Sequence, residues 1–167
     1  MSYKYLLSLD GGGVREIATV TFLARLEKEL NMPLYEKFDF FVGSSAGAIT
    51  AMALSVAKME GDGLLKFWSE KNLNKILDAS LWDSKLGLLQ TNPKYTGVGK
   101  KQVLKKYFGN LKLGDAYKKV AVMSYDIEER KPLLFTSYNH SNISNNNDGK
   151  KKTLYAFASG SFVYFFN

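Results

Sequence analysis

The sequence predicts an α/β fold, a three-layer α/β/α domain around a mostly parallel central sheet. Three observations predict it. Short apolar runs alternate with stretches of helical periodicity, the order that builds parallel sheets through helical crossovers. The first two apolar runs each end in a glycine-bearing turn that leads into a helix-like stretch. No internal repeat and no linker interrupts the 167 residues, so 1–167 reads as a single domain.

The elements follow in order. Tyr3 to Leu9 (YKYLLSL) reads as a buried first strand, and Asp10-Gly11-Gly12-Gly13 as a turn. Val14 to Leu30 reads as a helix whose apolar side carries Ile17, Val20, Leu23, Ala24, Leu26 and Leu30, and Asn31-Met32-Pro33 stops it. Phe38 to Val42 reads as the second strand and Ala46 to Met59 as a helix so apolar that it must be buried on most sides. Leu64 to Ala79 reads as a third, amphipathic helix, Ser80 to Gly99 as a loop, and Lys100 to Phe108 as a short helix ended by Gly109-Asn110. Val120 to Tyr125 and Leu133 to Tyr138 read as strands. The Asn-rich tract 139–152 reads as a surface loop, Thr153 to Ser159 as a final helix, and Phe162 to Phe166 as an aromatic tail.

Composition bounds the function. Hydrophobic residues make up 46% and aromatics 14%, which is globular rather than disordered. No apolar run approaches the roughly 20 residues that span a bilayer. The chain has no cysteine, which excludes disulfides and thiolate metal sites and fits an intracellular setting. The net charge of +7 favours anionic partners. No nucleic-acid module accompanies it, so nucleic acid is not expected, and the charge fits an anionic membrane surface or solubility alone.

Two motifs carry chemistry. Gly43-Ser44-Ser45-Ala46-Gly47 lies between a strand and a helix, where G-x-S-x-G forms a nucleophile elbow. The turn presents the Ser45 hydroxyl beside the free N–H groups of the following helix. Asp10-Gly11-Gly12-Gly13-Val14-Arg15 also lies between a strand and a helix. It has no Gly-Lys-Ser/Thr and fails G-x-G-x-x-G, because Glu16 stands where the last glycine belongs. A nest of bare N–H groups fits an oxyanion hole for acyl transfer better. Both motifs also fit turns whose glycines serve close packing alone. A serine nucleophile needs a base, and the single histidine, His140, lies in the Asn-rich tract. A triad of Ser45, Asp126 and His140 can be written, but a carboxylate acting directly on Ser45 is the better expectation.

Taken together, Asp-Gly-Gly-Gly-x-Arg at the end of one strand and Gly-x-Ser-x-Gly at the end of the next resemble the patatin-like phospholipases. Ser124-Tyr125-Asp126 with Pro132 to Tyr138, and Ala156 to Phe165, extend the resemblance over nearly the whole chain. The resemblance implies a lipid acyl hydrolase with a Ser–Asp dyad and no obligatory cofactor or metal. Ser45 would be the catalytic nucleophile, Gly11, Gly12 and Gly13 with Arg15 the oxyanion hole, and Gly43 and Gly47 the elbow. The substrate would be a lipid or phospholipid ester, met in an intracellular setting at the periphery of a membrane.

Three places depart from the family pattern. Glu16 replaces the glycine after the arginine, and is expected to bring negative charge towards the anion site. Gly160-Ser161-Phe162-Val163 stands where small residues and proline are usual. Asn167 comes before the segment that would carry the dyad aspartate, and Asp148-Gly149 lies ahead of the final helix, so no residue is carried over as the dyad acid. The chain therefore reads as C-terminally incomplete, with an open edge for self-association. The alternative function is a catalytically inactive patatin-like remnant that binds membrane surfaces or proteins.

Overall fold

The computed structural model describes residues 3–76, 98–126 and 130–138. Within them four strands form one sheet in the order β1 (Leu6–Leu9), β2 (Phe40–Ser44), β3 (Lys119–Asp126) and β4 (Lys131–Thr136). β1, β2 and β3 run parallel, and β4 turns back antiparallel on β3. The first crossover carries α1 (Glu16–Leu30) and the short α2 (Leu34–Lys37). The second carries α3 (Ser45–Ser55), α4 (Gly61–Phe67), α5 (Glu70–Ile76) and α6 (Val98–Phe108). A mostly parallel sheet with helical crossovers is the predicted class, in keeping with three α/β/α layers.

The centre of the core is α3. Every residue from Ala46 to Ser55 is buried, because the helix packs on β2 and β3 while other elements cover its remaining sides. Ile49, Met52 and Leu54 are wholly enclosed, each contributing about 1.5–3 kcal/mol by burial. Small residues let the neighbours approach: a side chain on Gly61 of α4 would lie 2.8 Å from the Ala24 backbone of α1.

Several elements differ from the sequence expectation. Only Leu6–Leu9 of the first strand pairs, and it occupies an edge of the described sheet rather than its interior. Leu6 is 55% exposed and Tyr3 and Tyr5 are exposed as well. The chain enters α1 through a single 3-10 turn, Gly13–Arg15. α1 buries Val20, Leu23 and Ala24 as expected, but Ile17 is 42% exposed. β2 begins two residues late, because Asp39 accepts the Tyr5 N–H at 3.1 Å and so caps the pairing rather than joining it. The helix expected from Leu64 breaks into α4 and α5 at Trp68 and Ser69. There the Trp68 indole turns inward to donate to the Thr50 hydroxyl of α3 at 3.0 Å. The last two strands match expectation to within two residues at each end. Most of the loop 80–99, His140, Asp148, the final helix and the aromatic tail lie outside the described residues.

Candidate active site

Parallel pairing brings the two glycine motifs together. Leu9, the last residue of β1, lies opposite Gly43 of β2. Both strands therefore run out at the same end of the sheet, one into Asp10 and the glycine loop, the other into Ser44 and the elbow. The carboxyl ends of parallel strands are where α/β sheets hold ligands.

The contact is backbone against backbone. A side chain on Gly11 would meet the Ser45 Cβ at 2.7 Å and the Ser44 carbonyl oxygen at 3.1 Å. One on Gly43 would come within 2.5 Å of the Gly47 carbonyl oxygen. One on Gly47 would fall on the Leu9 carbonyl oxygen and lie 2.8 Å from that of Asp10. Real Cβ atoms do not approach so closely, so these positions admit only glycine. The first turn of α3 thus sits directly against the end of β1, with Gly11 on Ser45.

Ser45 itself has φ +49°, in the left-handed region that a side-chain-bearing residue enters at a cost. Strand geometry holds through Ser44 (φ −127°, ψ 147°) and helix begins at Ser45, so one residue absorbs the whole reversal. Ser45 is half-buried at the positive end of α3. Among the described residues its hydroxyl has no hydrogen-bond partner.

The three glycines of the loop have separate tasks. The Gly11 N–H donates to the Ser44 Oγ at 3.0 Å, which ties the loop to the elbow and removes that donor from the expected anion nest. Gly13 sits at φ +56° and turns the chain into α1. The Gly12 carbonyl accepts the Arg15 N–H at 3.1 Å. The N–H groups of Gly12 and Gly13 have no acceptor among the described residues. Arg15 is exposed, and its Nε lies 3.9 Å from where a Gly12 side chain would begin, so its charge stands over the loop.

Glu16 corrects the sequence expectation. Its carboxyl is not offered to the loop: it is 0% exposed, enclosed behind the start of α1. The Thr50 hydroxyl donates to Oε1 at 2.6 Å while accepting from Trp68, which makes a relay from α4's end through α3 to α1. Oε2 has no partner among the described residues. Burial pushes the Glu16 pKa above the ordinary 4.5, against the smaller opposing effect of the Thr50 bond. No local signal in the sequence marks this carboxyl, since its partner lies 34 residues away.

The Asp126 backbone lies on β3, three residues beyond the Met123 that faces Ser44, roughly 10 Å further along the strand. His140, the third member of the written triad, is outside the described residues. Among the described residues no cluster of His, Cys, Asp or Glu has the make-up of a metal site.

A patatin-like phospholipase family model matches residues 7–166, and the chain belongs to that family. It is 30% identical over 149 residues to Patatin-like protein 4 of Arabidopsis thaliana, covering 81% of this chain and 37% of that protein. It is 31% identical over 136 residues to a cGAMP-activated phospholipase of Pseudomonas aeruginosa, covering 81% and 40%. The fold resembles that of full-length ExoU, solved in complex with SpcU from the type III secretion system of Pseudomonas aeruginosa. There the TM-score is 0.58 at 17% identity, over 98% of this chain and 39% of that one. The chain thus spans about two fifths of the length of these two curated relatives.

Proposed function

We propose that this chain is a lipid acyl hydrolase in which Ser45 is the nucleophile. The observation that carries the reading is the left-handed Ser45 with Gly11 pressed against it. That arrangement puts a strained hydroxyl beside bare amides, with no room for another residue at the contact. Ser45 Oγ attacks the ester carbonyl of a phospholipid or related lipid and passes its proton to a base. Negative charge gathers on the former carbonyl oxygen, where the N–H groups of Gly12 and Gly13 and the first turn of α3 can donate to it. Arg15 adds positive charge from above. Collapse expels the alcohol and leaves an acyl ester on Ser45. Water then cleaves that ester, releases the fatty acid and restores the hydroxyl.

The base is a carboxylate, as the family's Ser–Asp dyad implies, and no described residue bonds Ser45 to supply it. General base catalysis contributes about 10²- to 10⁴-fold, so this group decides whether turnover is fast. The free Ser45 hydroxyl equally favours a second reading, an inactive member that retains the fold as a binding domain. A fluorophosphonate probe with a fatty-acid release assay separates them. Labelling lost in Ser45→Ala, with release from phosphatidylcholine, supports the hydrolase. Labelling without release supports the binding domain. Failure of the intact protein to label refutes Ser45 as an activated nucleophile.

A further inference from the structure

Away from the elbow, α4, α5 and α6 enclose an open cleft of about 340 Å³. Lys66 of α4, Lys71 and Lys75 of α5, and Lys106 of α6 line it, and among the described residues no carboxylate does. None of these four lysines joins an ion pair among the described residues. Lys71 and Lys75 are one helical turn apart on the same face, a like-charge spacing that repels. The cleft therefore has a standing electrostatic cost that a bound anion would relieve.

The floor is preorganised. Asn72 Nδ2 donates to the carbonyls of Lys66 and Phe67 at 3.0 and 3.1 Å and to the Tyr107 hydroxyl at 3.2 Å, joining all three helices. The Tyr107 ring meets Phe67 edge-on at 4.9 Å. A side chain on Gly99 would come within 2.9 Å of the Lys75 carbonyl oxygen, so the start of α6 is seated hard on the end of α5. The lysine stems thus rise from a fixed base, and only their heads need to be ordered by a ligand.

Charge is segregated to this layer. Residues 61–76 and 98–112 hold eight lysines and two carboxylates, whereas residues 3–60 hold six basic and seven acidic side chains. Lys101 and Lys105 extend the basic surface along exposed α6. We propose that the cleft takes the phosphate of an anionic lipid headgroup and so seats the chain on an anionic membrane. The choice of a membrane over a soluble anion rests on the lipid-hydrolase reading, whereas the anion chemistry of the cleft does not.

The test is sedimentation of the intact Ser45→Ala chain with phosphatidylcholine vesicles that contain or lack phosphatidic acid, so that no turnover enters the readout. Each lysine near an anionic surface contributes about fivefold to binding at low salt. Lys71→Gln with Lys106→Gln should weaken binding to the phosphatidic acid vesicles about 25-fold, and Arg25→Gln with Lys37→Gln, the same charge change on another face, much less. Raised salt should erase the difference. Equal losses in the two double variants, or none in the cleft variant, would overturn the proposal. Calorimetric binding of pyrophosphate to the cleft, with no preference for phosphatidic acid vesicles, would overturn the membrane assignment in favour of a soluble polyphosphate. Vesicle binding by the cleft with no Ser45 labelling would uphold this proposal while refuting the hydrolase.

Discussion

The end of the sheet where β1 and β2 become helices is held together differently from the layer of α4, α5 and α6. At the elbow, backbone lies on backbone: Gly11 on Ser45, Gly43 on Gly47, Gly47 on Leu9. Charge there is close to balanced: Asp10 stands exposed at the start of the loop, while Glu16, just beyond it, is turned inside. In the helical layer, side chains set the geometry through Asn72 and Tyr107, and lysines predominate on the outside. The difference teaches that the first region is specified sterically, by what must be absent, and the second electrostatically, by what must be present. Substitutions should break them in opposite ways, one through folding and the other through binding.

The largest effect is expected at Gly47→Ala. Its new methyl falls on the Leu9 carbonyl, and overpacking of this kind costs about 3 kcal/mol. Thermal denaturation should show a fall of roughly 6–12 °C. A fall within 2 °C would mean that the two strand ends are not locked. Next comes Thr50→Val. It strips the Trp68 indole of its acceptor and Glu16 of its donor, both buried, for about 2 kcal/mol in urea unfolding.

Glu16→Gln should act through pH. The carboxyl has a raised pKa when folded, so the unfolded chain gives up its proton first. Wild-type stability should therefore fall as pH rises from about 4.5 towards the raised value and level off above it. The glutamine variant, which still accepts from Thr50, should lack that decline, so its advantage grows with pH. Parallel Tm curves for the two proteins would show that Glu16 does not titrate out of step with the unfolded chain. The smallest effect on stability belongs to Lys106→Gln, within about 0.5 kcal/mol by urea unfolding. A larger loss would make the lysine part of the architecture rather than of a binding surface.

Much of this was legible in the sequence, and what was not has physical causes. The strand–turn–helix setting of Ser45 could be read locally, because an apolar run, two glycines and an apolar helix sit next to one another. The meeting of Gly11 with Ser45 follows once β1 and β2 are taken as parallel neighbours. The exposure of Leu6 could not be read, since an apolar run says that a strand forms but not whether another lies on its far side. Asp39 looked like part of β2, yet its carboxylate is held by the Tyr5 N–H, 34 residues away. The break at Trp68 and the burial of Glu16 both depend on Thr50, and no pattern within one helix shows which polar residue on another will receive it. Local periodicity carried the elements; long-range polar pairing carried the exceptions.

The backbone at residue 45 has a consequence of its own. A left-handed residue with a side chain is less comfortable there than glycine, by roughly 1 kcal/mol or more. Exchange of that serine for glycine should therefore leave a hardier molecule, and on the proposed reading one with nothing to acylate. Of the four described side-chain-bearing residues with positive φ, Ser45 is the one at the elbow, and on that reading endurance is surrendered there for reactivity.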